Sequence, residues 1–220
     1  MIKNNQVINE KSFGNELQLI MKKYNVVGLQ AVAVQRDKLI WSDAFGYRNL
    51  ETKDKLTENT MFRIASISKL FTATAIMQLV EKKWIELNED ISFYLGFKVR
   101  NPNYPNSIIT LKHILTHTSS LNSDEESQSV YAKFIKDGHA DLTLQLEELI
   151  SKGGKYFNEK IWGNWEPGNQ AHWVYSNIGA IICAAIIEKV TSKRFDHYIN
   201  ENIFIPLNMK KVAFSYTNIK

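Results

Sequence analysis

Apolar residues at Phe13, Leu17, Ile20, Met21 and Tyr24 recur at helical spacing, which predicts an amphipathic helix at the start of the chain. Two runs rich in Val, Ile and aromatic residues follow, Gly28 to Gln35 and Leu39 to Tyr47. The short polar join Arg36-Asp37-Lys38 predicts that they form an antiparallel hairpin. From Ser66 to about Lys83 the pattern turns helical again, with Leu70, Ala73, Ile76, Met77 and Val80 on one apolar face. Thr110 to Thr116 reads as a short helix with Thr110 as its cap. A further helix is expected near Leu142 to Ser151, stopped by Gly153-Gly154. The unusually apolar run Ile178 to Val190 predicts a buried helix, and Arg194 to Phe204 an amphipathic one broken by Pro206. Lys211 to Tyr216 is one more candidate strand.

These elements give an α+β chain: a helix-plus-hairpin part over 1–65 and a mostly helical part over 66–210, within a single domain spanning 1–220. A hairpin alone is marginal, and three or more strands are needed for an independent sheet.

Composition narrows the function classes. The chain has 220 residues, 44% hydrophobic and 23% charged, enough for a sizeable core. Its net charge is only +4 and the basic residues are scattered, which argues against a nucleic-acid partner. A single cysteine, Cys183, excludes an intrachain disulfide, and its apolar neighbours make it a small buried hydrophobe. No apolar run reaches the roughly 18 residues of a membrane span. The first ten residues lack the apolar core of a secretory signal, so the expected location is the cytoplasm.

Ser66-Ile67-Ser68-Lys69 carries the first candidate chemistry. Residues three apart share a helix face, which brings the Lys69 amine near the Ser66 hydroxyl. A serine hydroxyl needs a neighbouring base, and a lysine with its pKa pushed down by burial can be that base or tune another. The same tetrad also suits a capping serine beside a solvated lysine, so the spacing alone leaves both readings open.

The surrounding run Phe62-Arg63-Ile64-Ala65-Ser66-Ile67-Ser68-Lys69-Leu70-Phe71-Thr72-Ala73 resembles the nucleophile region of serine β-lactamase-like proteins. That family includes penicillin-binding proteins, class C β-lactamases, esterases and D-amino-acid peptidases. Leu115-Thr116-His117-Thr118-Ser119-Ser120-Leu121 is similar to the family's L-T-H-T-S-G-L segment, with Ser120 where the family has glycine, the residue that tolerates positive φ. Tyr175-Ser176-Asn177 fits the family's Y-x-N motif. Six of the nine tyrosines have Asn two residues on, so the motif alone selects nothing. Tyr175 is singled out by Glu166-Pro167-Gly168 and Trp173 before it and Ile178-Gly179-Ala180 after it, a block that resembles the family's.

The resemblance implies a β-lactamase/transpeptidase-like fold and a serine hydrolase. Ser66 would form an acyl-enzyme from an amide or ester, and Lys69 and Tyr175 would move protons. Asn177 would hold the substrate, and neither cofactor nor metal would take part. Substrates would be small molecules or peptides: β-lactams, D-amino-acid peptides or esters. The family's third motif, K-T-G or H-x-G, has no match after Tyr175, although Lys136-Asp137-Gly138 and Lys152-Gly153-Gly154 fit K-x-G before it. The expectation is therefore a short form without the C-terminal strands and without a second oxyanion donor, a loss that typically costs about 10²–10³ in rate. It would have a sheet edge open to self-association, and a binding or scaffold role is the alternative.

Other groupings read more plainly. His113 and His117 are four apart, but no Glu follows His113 and no third ligand is evident, so no metal is expected. Tyr156, Phe157, Trp162, Trp165 and Trp173 either line a cleft beside Tyr175 or pack a loop-rich region. Glu147-Glu148 and Asp124-Glu125-Glu126 read as solvated faces.

Overall fold

The computed structural model describes residues 10–136 and 142–214. The described chain divides into two compact units, Met1–Arg63 and Ile64–Lys220.

The first unit holds helix α1 (Glu10–Lys23) and strands β1 (Gly28–Gln35), β2 (Lys38–Asn49) and β3 (Asp54–Lys55), hydrogen-bonded in the order β1-β2-β3. β1 and β2 form the expected hairpin, with Gln35 opposite Lys38. Arg36 and Asp37 both have positive φ, 49° and 60°, so the turn has two residues rather than the three of the expected join. Positive φ at both central positions is the type I′ turn, whose twist matches that of the strands. Phe13 on α1 meets Trp41 on β2 edge-on at 4.7 Å, and Trp41 and Met21 are buried. This burial seats α1 on the hairpin. Among the described residues no further strand pairs with β1, and Val32 and Val34 are more than 60% exposed.

The second unit is helical: α2 (Ser68–Glu81), α3 (Ile91–Leu95), α4 (Leu111–Leu115), α5 (Glu125–Lys136), α6 (Leu142–Ile150), α7 (Asn177–Thr191) and α8 (Phe195–Ile199). A 3₁₀ turn, Ala65–Ile67, precedes α2, and a π-helical turn, Asn200–Phe204, continues α8. α7 is the axle. Ile178, Ile182, Cys183, Ala185, Ile186 and Ile187 are all buried, and α7 packs against α2, α3, α4, α6 and α8. A helix apolar on nearly every side has no stable place except inside. Ser176 caps it, its hydroxyl accepting from the Gly179 amide, and Ser192 at φ 55° ends it.

Several expectations need correcting. The buried face of α2 is Thr72, Ala75, Ile76 and Leu79, whereas Leu70 is 65% exposed and Met77 43%. α2 is apolar over much of its circumference, so periodicity alone could not choose its face. Residues 211–214 are not a strand, and the remainder of that candidate lies outside the described residues. α3 and α5 were not foreseen. The acidic run at 124–126 does more than face solvent. Asp124 accepts from the Ser127 amide at 2.9 Å, and this bond lowers its carboxyl pKa despite the opposing effect of burial. Glu148 accepts from the Lys155 amide at 2.6 Å and closes the loop after α6.

Ser120 has φ 60°, a left-handed backbone held by a residue with a Cβ. Its buried hydroxyl accepts from Asn101 Nδ2 at 3.0 Å. Ser120→Gly relieves about 1 kcal/mol of backbone strain and forfeits a hydrogen bond of similar worth. Its urea midpoint should therefore sit close to that of the parent. Ser120→Ala keeps the strain and loses the bond, and should melt below Ser120→Gly by about 1 kcal/mol.

Candidate active site

Ser66 lies in the 3₁₀ turn before α2, not inside the α-helix as its spacing suggested. The turn is closed by the Ile67 and Ser68 amides, which donate to Ile64 O and Ala65 O. The Ser66 N–H is therefore one of the leftover donors at a helix start, the kind that can serve an oxyanion. Ala65, just before it, has φ 45°, an uncommon conformation for a residue with a side chain and one that concentrates at functional sites. The backbone thus turns sharply at Ser66 and leaves its side chain exposed.

Lys69 is the hub. Its Nζ donates to Ser66 Oγ at 3.1 Å and to Asn177 Oδ1 at 2.8 Å, and it stands 4.7 Å from the centroid of the Tyr175 ring. Asn177 is 108 positions away along the chain, so this contact is made by tertiary packing alone. It follows from the packing of α2 against α7, because Asn177 is the first residue of α7 and Lys69 the second of α2. The family resemblance implies a substrate-holding role for Asn177. Here its carbonyl oxygen accepts from Lys69, and its amide nitrogen can donate to another partner.

The Tyr175 hydroxyl is shut off from solvent and makes no hydrogen bond with both good length and good angle. Burial by itself raises a phenol's pKa. Here Lys69 and Ser66, near enough to donate to a phenolate, together with the charge of Lys69, outweigh burial and bring Tyr175 below its usual 10. The direction of the shift rests on Lys69.

Two clefts open on these groups. One of about 320 Å³ is lined by Ser66, Lys69, Thr72, Asn177, Ala180 and Phe195. The other, about 220 Å³, is lined by Ser66, Lys69, Leu115, His117 and Cys183 among others. Cys183 is enclosed, and burial pushes its thiol up to about 12.

The aromatic cluster divides. Trp173 lies beside the site, edge-on to His117 at 5.7 Å and 6.4 Å from Tyr175. Trp162 is buried, Trp165 stacks on His172, and Tyr156 packs on Phe134. His113 and His117 engage different partners: His113 Nδ1 accepts from the Thr110 amide, and His117 Nδ1 from the Ser176 amide. Among the described residues no group of three His, Cys, Asp or Glu could hold a metal ion. Nor is any described helix long and apolar enough to cross a membrane. His117 is the neighbour of the site that the sequence did not flag as such. Its i,i+4 spacing from His113 points to metals, and nothing in the side-chain pattern places it beside Tyr175.

Comparison with known proteins identifies the family and the fold. The family model described as Beta-lactamase matches residues 13–219. Protein flp of Staphylococcus aureus strain MW2 is 28% identical over 201 residues, which are 91% of this chain and 37% of that protein. Penicillin-binding protein 4* of Bacillus subtilis strain 168 is 28% identical over 180 residues, 82% of this chain and 36% of its own length. Among solved structures, an octameric penicillin-binding protein homologue from Pyrococcus abyssi superposes with a TM-score of 0.76 at 28% identity, covering 96% of this chain and 45% of that one. The chain thus spans less than half the length of each of these relatives. A class C beta lactamase at 21% identity and TM-score 0.69 shows the same fold.

Proposed function

The chain belongs to the beta-lactamase family, and from that premise we propose that it is a serine hydrolase acting by acyl transfer through Ser66. The observation that carries the reading is the convergence on Lys69 Nζ of Ser66 Oγ at 3.1 Å, Asn177 Oδ1 at 2.8 Å and the Tyr175 ring at 4.7 Å. As Ser66 Oγ bonds to the carbonyl carbon of an amide or ester, its proton passes to the Tyr175 oxygen. The carbonyl oxygen takes negative charge beside the Ser66 N–H. Collapse of the tetrahedral species breaks the bond to the leaving nitrogen or oxygen, which receives the proton from Tyr175. Water then attacks the acyl-enzyme by the same route and releases the acid. Lys69 stabilises the phenolate form of Tyr175, and the free amide of Asn177 holds the substrate carbonyl. The substrate class is β-lactams, D-amino-acid peptides or simple esters.

A fluorescent penicillin and an activated nitrophenyl ester test this directly. The expected result is a covalent adduct that maps to the peptide holding Ser66 and is absent from Ser66→Ala. Absence of any adduct on a chain that melts cooperatively, or equal labelling of both proteins, would overturn the hydrolase reading and leave a binding or scaffold role.

A further inference from the structure

His117 holds residues 174–176 at three points. Its backbone oxygen accepts from the Val174 amide at 2.9 Å, and its Nδ1 accepts from the Ser176 amide at 3.2 Å. Its ring lies against the Tyr175 ring, with centroids 4.7 Å apart and planes tilted by 39°. Both chain neighbours of Tyr175 are therefore held by one residue that also packs on the tyrosine itself. The backbone of His117 pays for this reach with a φ of 57°.

We propose that His117 is a positioning residue for Tyr175, holding the phenol against Lys69 and Ser66 while its imidazole is neutral and releasing it when the imidazole takes up a proton. This rests on the hydrolase reading above for its catalytic consequence, but the clamp itself is independent of turnover. A neutral ring that accepts at Nδ1 carries its hydrogen on Nε2. Protonation puts a second hydrogen on Nδ1, where it faces the Ser176 N–H, and two donors cannot bond. The added charge also meets the N-terminal end of α7, which begins at Asn177 and carries partial positive charge. From α2 the ring faces the Lys69 cation, and from the loop before α7 the Tyr175 phenol. From α7 the Cys183 thiol, which stays neutral at ordinary pH, lines the same cleft. No carboxylate is among the residues lining the cleft they share. Burial and the Lys69 charge accordingly hold the His117 pKa below its usual 6.5. The clamp is closed above that range and opens as pH falls through the lowered value.

Two variants and two readouts decide the matter. Asn places an oxygen where Nδ1 stands, tolerates positive φ and does not titrate, so His117→Asn keeps the acceptor and removes the switch. With a nitrophenyl ester, His117→Ala should lose on the order of 10²-fold in kcat with KM little changed, the mark of a misplaced group. His117→Asn should recover kcat and lose the acid limb of the wild-type kcat/KM profile. In NMR spectra of the full chain, the Ser176 amide should shift with the same midpoint as the His117 imidazole. An acid limb retained in His117→Asn, or normal kcat in His117→Ala, would overturn the positioning role. A Ser176 amide unmoved through the His117 titration would overturn the clamp. If the wild type shows no turnover at all, the hydrolase reading fails, and the NMR titration still decides whether the clamp exists.

Discussion

Lys69→Met should reduce Ser66 acylation by about 10²–10⁴-fold, the span expected when a proton-transfer group is lost. The substitution keeps the length and the helix propensity of the side chain but removes the donor that Lys69 gives to Asn177 Oδ1 and the cation that faces the Tyr175 ring. Arginine should not rescue it, because a planar fork cannot occupy the point position of an ammonium that meets Ser66 and Asn177 together. Stability should fall by about 1 kcal/mol, as the half-buried Asn177 oxygen loses its partner. Burst amplitude with a nitrophenyl ester, read beside a urea melt, separates the two effects. A burst of wild-type size would show that Lys69 is a spectator.

Tyr175→Phe should separate activity from stability in the opposite sense. The hydroxyl is sealed from water without a well-formed hydrogen bond, so its removal abolishes an unsatisfied polar group worth about 1–3 kcal/mol. The variant should therefore be as stable as the parent or more so, while acylation drops by about 10²–10⁴-fold. The pH profile carries a second signature. The phenol's pKa is lowered from 10, so the phenolate fraction, and with it the base-dependent rate, rises with pH and passes its midpoint below pH 10 in the wild type. In Tyr175→Phe that alkaline rise should vanish. A variant that is both inactive and markedly less stable would mean that the hydroxyl is structural.

Much of the fold was legible because its signals are local. β1 fell on Gly28–Gln35 as its β-branched composition and the short polar join after it required, and α4 began after Thr110, whose side chain accepts from the His113 amide at 3.2 Å. α7 was readable from its uninterrupted apolar run. What escaped depends on packing between distant segments. The orientation of α2 is set by its packing on α7, which no periodicity within α2 can report. At the site, Ser66 and Lys69 could be paired by spacing, and Tyr175 and Asn177 only by resemblance to a family block. His117 escaped as a partner of Tyr175 because hydrogen bonds from the amides flanking a tyrosine leave no mark on side-chain pattern.

The one thiol of the chain has a practical consequence. Cys183 sits inside α7 with its pKa near 12, so at pH 8 only about one molecule in ten thousand presents a reactive sulfur, and that sulfur is walled in. Maleimide dyes and nitroxide spin labels should therefore pass over the native protein. A cysteine engineered at an exposed position such as Trp84 would then be the sole attachment point, which offers distance measurements without first stripping the background.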